Sequence, residues 1–477
     1  MKPELTYRSG EKMFTPEYFK NKKALVIGAG KSGIAVANLL AGKGFRVFLS
    51  ESASLDKVRD RLKDLDSSVE TETGGHTDAV LSCGFAVKCP GLSHKNPVLI
   101  RLEQNGIPVF SEVEVALAFA RSPHLLAVTG TNGKTTTSMM LGEIMKIHAA
   151  TCGSAAFTVG NIGNPVAAAV CGEDTGSFIT AELSSYQLED SSFIKPEVSV
   201  ILNITPDHLE HHGSMEAYIE AKKRIFLFQD KNCFCVLNHE DPICRKMSSD
   251  VPSEILWFSS SYNAEEHCEI NAFIKNGLLV FRYGGKKYIL NPPDLPGIHN
   301  MENALAAGLS ALAAGAMPGE IQRAFDNFKP VEHRIEPAGT VKGIKFINDS
   351  KATNVDSVLV ALKAMPAGKK TWLILGGRDK GAPYSPLVPL VMEKVKSIIT
   401  TGEAAPVIEK ELSSCVSCKR AADIYEACRI ILASGKAGDT ALFSPACSSF
   451  DCFKDYEDRG RRFKAYVKEL ADGERQN

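Results

Sequence analysis

Residues 124–145, HLLAVTGTNGKTTTSMMLGEIM, read as strand, loop and helix in succession. Leu125 to Val128 is an apolar run of strand length. The helix beyond carries Met139, Met140 and Ile144 on what should be one packed face. Between them lies Thr129-Gly130-Thr131-Asn132-Gly133-Lys134-Thr135-Thr136. Such a loop is built to hold phosphate. Small residues let backbone N–H groups close on phosphate oxygens, Lys134 brings charge to the β- and γ-phosphates, and the Thr135 hydroxyl suits Mg²⁺. The segment departs from GxxxxGK[ST], since Val128 occupies the first glycine position. A plain turn with a solvated lysine is the competing reading, and the flanking strand and helix argue against it.

Upstream, residues 22–52 (KKALVIGAGKSGIAVANLLAGKGFRVFLSES) form one βαβ pattern. Strands are expected at Ala24–Ile27 and Phe45–Leu49, with a helix starting near Ser32. Gly28, Gly30 and Gly33 fit GxGxxG, where backbone N–H groups at a helix start suit a pyrophosphate. Glu51 stands where a ribose-binding acid would, or is an ordinary loop acid. A ligand-free turn is the plainer reading of the glycines. CPGL, Cys89–Leu92, is a second turn on the edge where open α/β sheets bind ligands.

Downstream, Glu182 follows a strand-like run, Gly176–Ile179, and at a strand's carboxyl end it could complete Mg²⁺ coordination beside the phosphate loop. Val200–Leu209 is a buried strand ending in a polar turn, whose Asp207 or His208 could reach a second metal or cap the next helix. Lys222 lies on an amphipathic stretch where a lysine is ordinarily a solvated charge. Met301–Met317 is Ala- and Gly-rich and reads as a packed soluble helix. From His333 the pattern is again parallel α/β, with strands at Lys345–Asn348, Thr371–Leu375, Ser397–Thr400 and Thr440–Phe443. Asn348–Asn354, Gly376–Gly381 and Ser444–Asp451 are polar loops after three of them, which suggests a pocket for a small charged substrate. Cys447 and Ser449 could be nucleophiles, but no histidine lies near them in sequence.

The 477 residues are too many for one core, and three α/β domains in series are expected. With 55 basic against 56 acidic side chains, nothing implies a nucleic acid or anionic membrane as partner. The opening MKPELTYRSGEKMF has no apolar core for a signal peptide, and no run approaches the roughly 18 apolar residues of a spanning helix. Thirteen cysteines are then simplest as free thiols in a cytoplasmic protein. A metal or redox role for the Cys415–Cys418 pair is a minor alternative.

TGTNGKTTT, the GNIG of Gly160–Gly163, ELSSYQLE, LNITPDHLEHH, HNMENALAA, the EHR of Glu332–Arg334, NDSKATN and SPACSSFD occur in the order found in the Mur ligase family. The resemblance covers nearly the whole chain. It implies a Rossmann-like N-terminal domain for a UDP-linked substrate (1–114), a central P-loop ATPase-like domain with a parallel sheet (115–330), and a C-terminal Rossmann-like α/β domain for an amino acid (331–477). NDSKATN with SPACSSFD looks most like the branch that adds D-glutamate to UDP-N-acetylmuramoyl-L-alanine for peptidoglycan precursors. The DNP-type motif of the branch adding diaminopimelate or lysine is missing.

The resemblance further implies residue roles. Gly30, Lys31, Ser32, Glu51, Ser52, Gly91 and Asn161 would bind the UDP-linked substrate. Gly130, Thr131, Asn132, Gly133, Lys134, Thr135, Thr136, Thr137, Asn303, Arg334 and Asp349 would bind ATP. Thr135 and Glu182 would coordinate a first Mg²⁺, and His208 with Lys222, as a carbamate, a second. Lys134, Glu182, His208 and Lys222 form the implied catalytic set. Thr353, Lys380, Ser449 and Tyr456 would face D-glutamate, although Tyr456 replaces the family's phenylalanine, and Lys351 would be substrate-binding. A monomer is expected, with closure of the third domain about Phe328–Val331. A Mur-type ligase for another amino acid, an NAD-dependent oxidoreductase resting on GxGxxG, and an ATP-dependent switch are the rivals.

Overall fold

The computed structural model describes residues 13–120, 123–161, 163–170, 176–261, 264–329 and 332–474. Most of the opening segment, residues 1–12, and Pro330 and Val331 of the expected hinge lie outside the described residues.

Ala24–Ile27 (β1) is buried at every position, as a central parallel strand covered by helices on both faces must be. It pairs in parallel with Val47–Glu51 (β2) and Phe85–Lys88 (β4), and Glu70–Thr73 (β3) and Val109–Ser111 (β5) complete the sheet. The order β3-β2-β1-β4-β5 puts the chain's reversal at β1, so the Gly28–Gly33 loop opens at the switch point. The helix Lys31–Gly42 packs so tightly that a Cβ on Gly33 would lie 2.0 Å from the Gly28 carbonyl oxygen. β2 begins two residues later than expected, because Phe45 belongs to the turn that leaves the helix and is fixed by its N–H donating to Leu40 O.

The second sheet contains His124–Thr129 (β6), Ala156–Gly160 (β7), Phe178–Glu182 (β8), Val198–Ile201 (β9), Phe234–Asn238 (β10), Glu254–Ser259 (β11), Ile270–Lys275 (β12), Leu278–Tyr283 (β13) and Lys286–Leu290 (β14). Its order is β14-β13-β12-β11-β10-β9-β6-β8-β7, parallel except for the β12–β13–β14 meander. The helix Lys134–Cys152 follows β6; Met140 and Ile144, four apart, are fully buried. Met139 is 37% exposed and does not share that face, since adjacent helical residues point about 100° apart. The helix Ile298–Ala313 is buried along most of its length, as its small residues allow.

The third sheet comprises Glu336–Val341 (β15), Ile344–Asn348 (β16), Thr371–Gly376 (β17), Val395–Thr401 (β18), Cys418–Arg420 (β19) and Thr440–Phe443 (β20), ordered β15-β16-β20-β17-β18-β19. It is parallel apart from β15, an antiparallel edge strand absent from the sequence reading.

Two compact units result. One comprises Met1–Ile204, His211–Asp294 and Asn300–Phe328 and holds the first two sheets; the other comprises Thr205–Glu210, Leu295–His299 and Lys329–Asn477 and holds the third. No helix among the described residues is long and apolar enough to cross a membrane. The twelve described cysteines are all free, and Cys415 and Cys418 join no metal-ligand cluster among the described residues.

Candidate active site

In the first unit the phosphate loop leaves β6 between β8 and β9. Gly133 has φ +85°, and a Cβ there would sit 2.4 Å from Asn303 Oδ1, so only glycine fits on both counts. Asn203, past the end of β9, clips the loop: Asn132 N donates to its Oδ1 at 2.8 Å, and its Nδ2 donates to Asn132 O at 3.1 Å. Thr131 N donates to Asn203 O at 2.9 Å. Thr137 Oγ1 donates to Asn303 Oδ1 at 3.2 Å, which seats the Asn303 helix against the loop.

Two ammonium groups converge on one carbonyl. Lys134 Nζ donates to Gly130 O at 2.8 Å and Thr131 O at 2.7 Å, while Lys222 Nζ reaches Gly130 O at 2.8 Å. Lys222 is 1% exposed and lies over the Tyr218 ring at 4.7 Å, which corrects the reading of a solvated charge. The helix Met215–Lys223 turns that position inward, together with Tyr218 four residues before it. Positive charge is thus concentrated where phosphate oxygens would enter.

Glu182, at the carboxyl end of β8, is 1% exposed. Asn161 wraps it twice, its N donating to Glu182 O and its Nδ2 to Oε1, both at 2.8 Å. Oε2 is buried with no hydrogen-bond partner among the described residues. A carboxylate oxygen in that state is costly unless a cation completes it, so the residues present fit a bound Mg²⁺. Thr135 and Thr136 are buried at the start of the adjoining helix, with Thr136 Oγ1 also unpartnered among the described residues.

On the first sheet, both Glu51 oxygens are engaged by its own surroundings: Ala29 N at 2.7 Å, Ala53 N at 2.8 Å and Ser52 Oγ at 3.1 Å. Burial pushes this carboxyl up, but the three hydrogen bonds and Arg61 outweigh it and hold it below the usual range. It braces the glycine loop from within. Gly30 caps the helix whose first residues are Lys31, exposed, and Ser32, half-buried.

In the second unit β16, β20 and β17 are neighbours, which brings their three polar loops to one edge. Asp349 accepts from Ser444 Oγ at 2.6 Å and Ile335 N at 3.2 Å. Its burial raises the carboxyl to about 6, with Arg334 and Arg459 opposing. Arg334 Nε is buried without a partner among the described residues. Arg459, 2% exposed, clamps two loops together, with Nη2 on Ser350 O at 2.7 Å and Nη1 on Cys447 O at 3.2 Å. Lys351 Nζ lies 5.1 Å from the Tyr456 ring centre, while Ser449 is buried and Thr353 half-buried. Lys380 lines a cavity of about 390 Å³ with Asp379, Tyr384, Asn354, Asp207 and His208. His208 carries a positive φ of 55°, uncommon for a residue other than glycine. Cys447 is no nucleophile: it is fully buried under the Tyr384 hydroxyl at 3.1 Å, and burial pushes its thiol to about 11.

Three family models match the chain in series: a Mur ligase MurD-like N-terminal domain at residues 22–111, the Mur ligase middle domain at 128–311, and the Mur ligase glutamate ligase domain at 333–447. A UDP-N-acetylmuramoylalanine--D-glutamate ligase from Elusimicrobium minutum is 47% identical over 461 residues, covering 96% of this chain and 100% of that one. The chain belongs to the Mur ligase family. A second ligase of the same name, from Koribacter versatilis, is 40% identical over 96% of this chain and 99% of its own. Solved Mur ligase relatives share the fold. A pseudomurein peptide ligase type C from Methanothermus fervidus matches with TM-score 0.61 at 20% identity, covering 94% of this chain and 100% of that one. UDP-N-acetylmuramate-alanine ligase MurC from Thermotoga maritima matches with TM-score 0.59 at 19% identity, over the same 94% and 100%.

Beyond the residues read from sequence, this Mur ligase uses Asn203, Tyr218 and Arg459 to hold its loops. Asn203 stood inside a recognised motif without a role of its own. Arg459 sits in a charged amphipathic helix where nothing in the sequence distinguishes it from its solvated neighbours.

Proposed function

We propose that this Mur ligase joins D-glutamate to UDP-N-acetylmuramoyl-L-alanine using ATP, through an acyl-phosphate, as a step of peptidoglycan precursor synthesis. The observation that carries the reading is a phosphate loop bearing Lys134 beside a buried carboxylate with an unpartnered oxygen, with the Lys222 side chain buried against the same loop. The names of relatives spanning the whole chain support the choice of amino acid.

The L-alanyl carboxylate oxygen attacks the γ-phosphorus of ATP, forming an O–P bond as the bond to ADP breaks. Lys134 exchanges the Gly130 and Thr131 carbonyls for phosphate oxygens. The D-glutamate amine then attacks the acyl carbon: the C–N bond forms, phosphate leaves with the C–O bond, and the amine proton passes to solvent. Thr135 and Glu182 would hold one Mg²⁺, and His208 with carbamylated Lys222 a second, to offset the charge of anions brought together. Asn303, Arg334 and Asp349 are assigned to ATP. Gly30, Lys31, Ser32, Gly91 and Asn161 are assigned to the UDP-linked substrate, with Glu51 and Ser52 shaping its loop. Thr353, Lys380, Ser449 and Tyr456 are assigned to D-glutamate, and Lys351 to substrate. Domains at 1–114, 115–330 and 331–477, a cytoplasmic monomer, and closure about Phe328–Val331 complete the reading.

Phosphate release with Mg²⁺, ATP and UDP-N-acetylmuramoyl-L-alanine, offering D-glutamate, L-glutamate, L-lysine and diaminopimelate in turn, tests it. Turnover is expected with D-glutamate alone. Turnover with another of these instead would reassign the amino-acid pocket.

A further inference from the structure

The mechanism leaves unused a cluster of buried charges in the first unit. Lys88, the last residue of β4, has a side chain with no solvent exposure. Its Nζ donates to Leu92 O at 2.6 Å and pairs with Asp190 Oδ2 at 2.6 Å. The other Asp190 oxygen, Oδ1, meets His94 Nε2 at 3.0 Å. One carboxylate therefore holds both ends of the loop 88–94, and Lys88 ties the same loop back upon itself. The turn inside, Cys89–Leu92, packs on the glycine loop: Cys89 Sγ donates to Gly28 O at 3.4 Å, and a Cβ on Gly33 would lie 2.7 Å from that sulfur.

The neighbouring Glu189 takes His211 Nε2 on Oε1 at 2.7 Å and His212 Nδ1 on Oε2 at 3.2 Å. These donor atoms lie within 4.8 Å of one another, as a metal site would require. However, each carboxylate oxygen already takes an imidazole, and the Lys88 ammonium stands 3.8 Å from Oε1. A cation placed there would face another cation, so the cluster is closed by its own pairs.

We propose that Lys88 and Asp190 are positioning residues for the UDP-linked substrate, fixing the Cys89–Leu92 turn and, through Cys89, the Gly28–Gly33 loop in the shape that receives it. The proposal rests on the function above. Breaking a buried pair leaves an uncompensated charge and frees the turn, whereas the phosphate loop on the second sheet keeps its own braces in Asn203 and Asn303. His94 is the outer, exposed arm; its hydrogen bond to Asp190 raises its pKa, and the charged form strengthens the hold.

The test is calorimetric binding and steady-state kinetics on the full chain with Lys88→Met, Asp190→Asn, the double variant, and His94→Gln, which spares the core. For Lys88→Met and Asp190→Asn, Kd and KM for UDP-N-acetylmuramoyl-L-alanine should rise about tenfold or more, with KM for ATP and D-glutamate unchanged. The double variant should be no worse than either single one. His94→Gln should raise the same Kd about threefold. Folded variants with wild-type affinity for the UDP-linked substrate, or a parallel rise in all three KM values, overturn the proposal. Should the core variants not fold, an unaltered Kd in His94→Gln overturns it alone. A wild-type protein that binds no UDP-linked substrate overturns the functional reading beneath it.

Discussion

Glu182→Gln should separate catalysis from stability. The substitution keeps the shape of the side chain and lets Asn161 Nδ2 still donate to an oxygen, but it removes the negative charge. Glu182 is 1% exposed and its Oε2 has no partner among the described residues, so this charge is held at a cost to the fold. A neutral amide should therefore leave the melting temperature of the magnesium-free protein unchanged or higher. Catalysis should suffer heavily. Two unit charges about 4 Å apart in an effective dielectric near 20 interact by about 4 kcal/mol, roughly three decades in rate, and a divalent ion feels at least that. The assay is kcat/KM for ATP across a magnesium titration, beside thermal unfolding without magnesium. Near-wild-type kcat/KM at every magnesium concentration would refute the metal role. A lower melting temperature would refute the argument that the charge is held at a cost.

Gly133→Ala should cost about 1–2 kcal/mol of stability for its left-handed backbone and also weaken nucleotide binding, because relieving the 2.4 Å approach to Asn303 must shift the phosphate loop. Gly153→Ala, at φ +68° with open space around it, should lower stability and leave nucleotide affinity alone; equal effects on affinity would contradict the geometry. Asp349 has a folded pKa of about 6 against 3.8 unfolded, so folding takes up a proton between them and its contribution to stability falls as pH rises through that window. Denaturant unfolding of Asp349→Asn should lose that slope relative to wild type, and an unchanged profile would show the carboxyl is not so perturbed. Thiol labelling of the native protein, read by mass spectrometry, should modify Cys152, Cys268 and Cys452, which are exposed, and spare Cys235, Cys244 and Cys447. Early labelling of Cys447 would place it in a different environment.

Much of this architecture was legible because the signals are local. The apolar run of β6, the glycines after it and the apolar spacing beyond fix strand, loop and helix within 22 residues. The three polar loops of the third sheet follow apolar strands, and their gathering at one edge follows from parallel pairing. What escaped depends on contacts between distant stretches. Asn203 is 71 residues from the Asn132 it clips, and Arg459 is 109 from the Ser350 it holds. Lys222 reads as a surface charge until its helix is docked, when the same face also carries Tyr218 inward. The β15 edge strand, EPAGTV, holds Pro337 and Gly339, which weaken a strand reading, and the β12–β14 meander lacks the clean apolar–polar alternation that marks an antiparallel strand.

The claim at the centre is that the substrate carboxylate becomes an acyl-phosphate before it becomes an amide. UDP-N-acetylmuramoyl-L-alanine labelled with ¹⁸O in its carboxylate, turned over with ATP and D-glutamate, reports on that step directly. Each turnover should place one labelled oxygen in the released phosphate and leave one in the amide. Amide product with unlabelled phosphate would contradict the account.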